Sequence, residues 1–364
     1  MIFQNNRGIA LILSIAVCSL LFTTALSLNR KVRFSIIASA SSKDRLILSQ
    51  MAWSGVNAAI ALLVRDRYET DDIDSVQEDW ANTEKINELL ADILYEDGTI
   101  ELKITDELSK IQVNAIVDKF PSGSRFNYPQ KDMWEKFIKF LISKDDRLSD
   151  LVPETITSSI KDWLDSNDDD AITGVNGAES DYYQGLDPPY SCRNEPVKNL
   201  DELVLIKGIT SELYYGIVKG YSVSRCLTIY GAERVANSDN LIKFNGKINI
   251  NTADIPVLIA LLPEGSEELA KDIYDYRIET SDSKFVNDIK RKKWYRHVSG
   301  SSIILTPKRV KRFEKLIRYG SDLFRIDTDV ELHGIKMSMS AVVKREKDKA
   351  TQKWICRILS NNMS

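Results

Sequence analysis

The sequence predicts an α+β protein carried on one N-terminal transmembrane helix, with its mixed domain interrupted by an inserted all-α domain. Three observations predict this class. Residues 9–28 form an apolar run without a charged side chain. Alternating apolar and polar residues, the period of a half-buried strand, occur at 99–104 and 110–116, then again at 324–332, 335–343 and 353–359. Between the two groups, 134 to about 319 reads mainly as helices. Strands, a helical block and strands again are the order produced when one domain is inserted into another.

The apolar run comes first. Twenty residues at about 1.5 Å each cross the ~30 Å hydrocarbon core as one helix, and only a helix satisfies its own backbone there. Its flanks leave two readings open. Ala25 and Ser27 fit the small-x-small site of a cleaved secretory signal. A few polar residues, Arg7 and then Gly8 before Ile9 look instead like a prepilin leader, cut after the glycine so that the helix is kept. Arg30, Lys31 and Arg33 follow the span, against a simple positive-inside assignment, a rule that weakens when a long folded domain follows.

Beyond the span, Leu48, Ala52, Val56, Ala59 and Leu63 give one apolar face across 43–67, so the helix continues and docks on its own domain. Residues 68–97 are acidic, with an amphipathic helix around 85–95. Asp97 and Gly98 signal a hairpin turn, and residues 106–109 supply a turn between the first two strands.

Composition bounds the partners. The 364 residues exceed what one core fills, so two folded units are expected beyond the anchor. Charged residues make up 28%, and a net charge of -4 argues against broad nucleic-acid or anionic-lipid binding, a local patch excepted. Cys192, Cys226 and Cys356 lie in the body. An extracytoplasmic body would allow a Cys192–Cys226 disulfide, though three is an odd number and no spacing supports it. Two histidines and no C-x-x-C pair argue against zinc.

Residues 161–194 crowd carboxylates and amides, among them Asp162, Asp165, Asn167, Asp169, Glu179 and Asn194, with glycines at 174, 177 and 185. So many oxygens on a chain that can fold tightly suit a hard cation, and calcium accepts irregular oxygen geometry. An EF-hand is excluded, because Asp170 stands at the turn-glycine position and Asn176 at the closing-glutamate position. A solvated acidic loop explains the composition equally well. Residues 200–220 and 249–277 resemble two helix-hairpin-helix units, which can set backbone amides on a DNA phosphate. Neither has a Gly-apolar-Gly turn, and Glu264, Glu267, Glu268, Asp272 and Asp275 would repel phosphate. Lys290, Arg291, Lys292, Lys293 and Arg296 form a better basic patch, of the kind usually solvated. No nucleophile elbow, metalloprotease helix or phosphate loop is present, so an enzyme is not expected.

These features resemble, in order, the type II secretion system minor pseudopilin K, or general secretion pathway protein K, family. The carriers are Arg7-Gly8-Ile9, 104–114 ending in Asn114, Asp162 to Asp165, Gly177 to Glu179, Tyr183, Pro189 and Tyr190, Asn194, Asp201 to Gly208, 248–253 and 321–325. The resemblance implies a leader at 1–8, a span at 9–28, a pilin-like domain at 29–117 and 321–364, and a helix-hairpin-helix-like (SAM-like) insert at 118–320. It implies cleavage after Gly8 by the prepilin peptidase and a methylated Ile9. Most pseudopilins carry a glutamate at the fifth mature position, here Leu13, as the K family allows. A carboxylate in hydrocarbon needs a partner, which an end subunit lacks. Carried over by position, Asp165, Asn167, Asp169, Glu179 and Asn194 are the implied Ca2+ ligands. The implied function is a non-catalytic tip subunit that initiates or caps the pseudopilus with minor pseudopilins I and J and supports protein export. Its body would be periplasmic, anchored in the inner membrane, with no nucleic acid bound. The alternative is a helix-hairpin-helix DNA-handling protein of a competence pseudopilus.

Overall fold

A computed structural model describes residues 7–70, 72–91, 98–121, 123, 125–166, 172–174, 176–218, 221–236, 238 and 240–364. Helix α1 (Arg7–Glu69) is continuous for 63 residues, about 95 Å. Its first half packs against nothing among the described residues. Ile9, Leu13, Leu20, Phe22 and Leu28 are all exposed. The hydroxyls within that half turn back on the helix: Ser14 donates to the Leu11 carbonyl at 2.8 Å, and Thr23 and Thr24 to Leu20 and Leu21 at 2.9 Å. With Ser27, which donates to the Thr24 carbonyl at 2.8 Å, these hydroxyls are satisfied without water, which suits hydrocarbon.

The second half of α1 changes character. Leu48, Met51, Ala52, Val56, Ala59 and Leu63 are fully buried, the face that the spacing predicts. They pack on an antiparallel sheet of four strands in the order β1 (Gly98–Asp106), β2 (Leu323–Leu332), β3 (Ile335–Lys347) and β4 (Trp354–Met363). Four of the five strands expected from alternation are these four. Strand β1 pairs with β2 from Gly98↔Leu332 to Asp106↔Phe324, although residues 107–322 intervene. The expected strand at 110–116 is different. Only Ile111–Gln112 pairs, in parallel with Leu227–Thr228, and Val113–Ile116 is a 3-10 turn. Its polar positions do not face solvent. The Gln112 amide donates to the Tyr230 carbonyl and accepts from Gly246 N, while Asn114 exchanges hydrogen bonds with both backbone groups of Val197. Side-chain amides there stand in for a neighbouring strand.

Helix α2 (Thr83–Ala91) covers the part of 85–95 that is described, and Asp97 lies outside the described residues. The insert holds α3 (Tyr128–Lys144), α4 (Pro153–Leu164), α5 (Ser180–Gln184), α6 (Ser211–Tyr215), α7 (Ile255–Leu261), α8 (Glu267–Ile278), α9 (Ser301–Ile304) and α10 (Pro307–Leu316). Expected to be all-α, it also contains short two-stranded pairings, each two or three residues long and so too short to show a period. One of them, Ile248–Asn249 with Ile317–Arg318, stitches the returning chain to the middle of the insert. The helix pair read at 200–220 is instead a 3-10 turn (Leu200–Leu205) and the five-residue α6, whereas α7 and α8 form the second pair.

Two hydrophobic cores result, one under α1 and the sheet, the other within 111–317. They meet where the chain leaves and re-enters the sheet. Asp106 Oδ2 accepts from Asn249 Nδ2 at 2.8 Å and Thr252 Oγ1 at 2.7 Å. The Asp74 carbonyl accepts from both Asn249 and Asn251, and Asp74 Oδ2 accepts from Ser321 N. This junction sits beside the C-terminal end of α1. At the opposite end of the sheet, His333 in the β2–β3 turn lies 3.3 Å from Asp44. The insert is therefore on the end of the body that points away from the span.

Helix and sheet approach closely at Gly55. A Cβ there would lie 2.6 Å from Thr328 Cγ2, on the buried face of β2. Gly55→Val is expected to destabilise the body by about 1–3 kcal/mol through overpacking, read as a lower urea midpoint. Adding Thr328→Ala should recover part of that loss; an unchanged midpoint for the single variant would contradict the packing.

Candidate functional site

The acidic segment is organised by the end of α4. Pro153 at its first turn and the buried Ile156, Ile160, Trp163 and Leu164 fix the helix against the insert core. Asp162, also buried, then faces the loop. Its oxygens accept from Thr173 N at 3.1 and 3.2 Å and from Ala178 N at 2.9 Å. Gly177 is required beside it, since a Cβ there would fall 2.0 Å from Asp162 Oδ2. Burial pushes the Asp162 carboxyl up, against the pull of the Thr173 hydrogen bonds. Asp162 is thus a loop organiser whose oxygens are committed to backbone.

Three segments carrying expected ligands converge here. Asn194, at φ 54°, donates its N–H to the Trp163 carbonyl at 3.0 Å, two residues before Asp165. Cys192 N donates to Ser180 Oγ at 3.1 Å, next to Glu179. Tyr183 stacks on Tyr190 at 5.3 Å and meets Trp163 edge-on at 5.1 Å, which holds the segments together from behind. Asp165 and Glu179 are buried. Asn194 Oδ1 is buried and has no hydrogen-bond partner among the described residues. Asn167 and Asp169 lie outside the described residues. The site already holds one cation: Lys161, buried, pairs with Asp165, donates to Thr173 Oγ1 at 2.8 Å and lies 3.8 Å from Asp162. Buried carboxylates and an unsatisfied amide oxygen are a donor set that fits a hard cation. Cys18, Cys226 and Cys356 are free thiols. Gly8 and Ile9 lie in the exposed first turns of α1, and residues 1–6 are outside the described residues.

A second acidic cluster was not foreseen. Carboxylate oxygens of Asp66, Asp74 and Glu78, all buried, lie within 4.8 Å of one another. Arg345 of β3 enters the cluster, donating to the Leu63 carbonyl and Asp66 Oδ2 at 3.0 Å, to Asp74, and to the Ser321 carbonyl at 3.0 Å. Glu78 Oε2 accepts from Trp80 Nε1 at 2.7 Å and Ser75 N at 3.0 Å. One buried guanidinium among three carboxyls cannot balance three negative charges, so protonation supplies the rest. Burial, then the charges of Asp66 and Asp74, push Glu78 up to about 8. Burial and then Asp74 push Asp66 up to about 6, against Arg345. This arrangement is a clasp between the two cores, already filled by its own cation.

Comparison with known proteins covers much of this ground. The family model described as "Type II secretion system (T2SS), protein K" matches residues 109–219, the stretch that contains the α4 loop. Type II secretion system protein K of Klebsiella pneumoniae is 27% identical over 212 residues, 58% of this chain and 60% of that one. The Aeromonas hydrophila protein of the same name is 23% identical over 215 residues, 58% and 61% of the two chains. That of Pseudomonas aeruginosa is 24% identical over 279 residues, 75% and 73%. This chain thus spans about three fifths of the length of the Klebsiella and Aeromonas relatives it matches. In fold it is similar to a chain of the GspK-GspI-GspJ complex from the enterotoxigenic Escherichia coli Type 2 Secretion System. The TM-score is 0.60 at 15% identity, covering 89% of this chain and 99% of that one, a likeness of fold alone. One helix, Gly8–Glu69, is long and apolar enough to cross a membrane among the described residues.

The clasp makes stability depend on pH. Folded values for Asp66 and Glu78 lie above their ordinary ones, so their contribution is full below about pH 4. It is lost as pH rises through about 6 and then about 8. Denaturation midpoints should therefore fall between about pH 5 and pH 8.5, and Glu78→Gln should flatten the upper part of that fall. A variant profile parallel to the wild type would remove Glu78 from the account.

Proposed function

We propose that this chain, a relative of type II secretion system protein K, is the minor pseudopilin that ends a secretion pseudopilus. The observation that carries the proposal is the division of α1. Its first half is apolar and bare, and its second half is locked under a four-stranded sheet. An apolar helical half with nothing of its own to cover it belongs in a bilayer, or against the same half of neighbouring subunits in a fibre. The second support is position. Residues 107–322 form a wide insert on the end of the body opposite the span, where it would collide with the next subunit if every level of a thin fibre carried one. Leu13, where most pseudopilins have glutamate, leaves no acid to pair with the amino terminus of a subunit ahead. Such a subunit initiates or caps the fibre and does not propagate it.

On this reading the body is periplasmic, the span sits in the inner membrane, and the prepilin peptidase cuts after Gly8 to leave a methylated Ile9. Minor pseudopilins I and J are the partners, a reading supported by the fold likeness to a chain of a complex that contains both names. The test is co-purification of the full chain with its candidate I and J partners. A stable ternary complex is expected, in which the intact mass of this chain has lost eight residues. Loss of twenty-seven residues, or no complex, would overturn the proposal.

The α4 loop is proposed as a calcium site held by Asp165, Asn167, Asp169, Glu179 and Asn194. Bound calcium would supply the positive charge that three converging acidic segments need, and so lock the loop to the insert core. Lys161 competes for Asp165. Removing it by Lys161→Gln should enlarge the rise in Tm produced by calcium, while Asp165→Ala with Glu179→Ala should abolish the calorimetric binding signal. Calcium binding unchanged in the double variant would reject these ligands.

A further inference from the structure

The charge of the insert is unevenly placed. From 279 to 316 there are eleven Lys and Arg against four Asp and Glu, a surplus of seven positive charges in a chain of net charge -4. The fold gathers them into one shelf. Lys293 and Arg296 reach Glu314 of α10 at 3.5 and 3.1 Å, and Tyr295 packs edge-on against Phe313 at 5.0 Å, so the run before α9 lies along α10. Helix α10 turns Phe313 and Leu316 into the core and leaves Lys308, Arg309, Lys311, Arg312 and Lys315 exposed. Asp288 and Glu314 pair with Arg291, Lys293 and Arg296. The remaining lysines of the shelf and Arg312 have no acid within 4.0 Å among the described residues.

Beside these cations stands an apolar side chain with no folding role. Ile303 is 80% exposed, and Arg309 donates to the carbonyl of the next residue, Ile304, at 3.1 Å, so the two share one edge of the shelf. Unpaired cations around a projecting apolar residue match a bilayer interface, where headgroups take the charges and the acyl boundary takes the apolar tip. Nucleic acid would satisfy the charges and leave Ile303 in water. The shelf rides on the insert, beyond about 60 Å of helix counted from residue 29 to Glu69, so with the helix upright it stands clear of the bilayer that holds the span.

We propose that this shelf docks on an anionic phospholipid bilayer facing the outer end of the body, with Ile303 entering the lipid boundary. The inference stands whether or not the chain ends a pseudopilus, because its test uses neither pseudopilin partner. The full chain, reconstituted in neutral phosphatidylcholine nanodiscs, is mixed with fluorescent vesicles, either of phosphatidylcholine alone or with about a third phosphatidylglycerol. Capture of the anionic vesicles is expected, at least tenfold above neutral ones and falling steeply between low and high salt. Replacing Lys308, Arg309, Lys311 and Arg312 by Gln should abolish capture. Ile303→Ser should lower it several-fold at constant charge, and an unchanged Tm would show that both variants are folded. Equal capture of neutral vesicles, or full capture by the four-Gln variant, overturns the proposal. So does capture that is insensitive to Ile303→Ser while a DNA duplex competes for the shelf, since that result assigns it to polyanions in general.

Discussion

The whole molecule depends on one pairing: β1 and β2 are hydrogen-bonded neighbours whose sequences are separated by the entire insert. Two chain ends leaving adjacent strands are only about 5 Å apart, so the insert must begin and finish at nearly the same point. The junction meets that constraint with polar groups. Asp106, Asn249, Asn251, Asp74 and Ser321 bond across it, and Arg345 ties them to the last turns of α1. Because these groups are buried, the loss of one leaves others unsatisfied, and the two cores are coupled more firmly than a flexible linker would allow.

That coupling gives the molecule a direction. The helix enters the body beside the β2–β3 turn and ends beside the junction, so membrane anchor and insert lie at opposite ends. The anchor is exposed because its natural surroundings are other apolar surfaces. The insert, in contrast, has its own core. On the proposed function, an apolar half that joins a fibre and a head too wide to repeat along one are compatible only at an end.

Much of this was legible in the sequence because it is local. The span is a continuous run, the docked half of α1 has helical spacing, and four strands alternate. The unread parts are those in which the partner is far away in sequence. Gln112 and Asn114 look like the wet face of a strand, yet their amides serve backbone groups more than eighty residues distant. The Arg345 clasp links residues 271 positions apart, although one local signal existed: alternation in β3 puts Arg345 on the same buried face as Met339, Ala341 and Val343. A charge at an inward strand position asks for a buried partner. In the α4 loop the crowd of carboxylates was visible, but not its division of labour. Asp162 is spent on backbone amides, and Lys161 lies folded in beside Asp165.

The stiffness of α1 has a mechanical corollary. A rigid rod about 60 Å long between bilayer and head converts rotation at its foot into travel at its tip, and transmembrane helices lean by about 20° on average. Such a lean carries the head sideways by roughly 20 Å. If the chain ends a fibre as proposed, small adjustments among packed spans at its base would therefore sweep the far end across a wide arc, as a pointer magnifies the motion of its pivot.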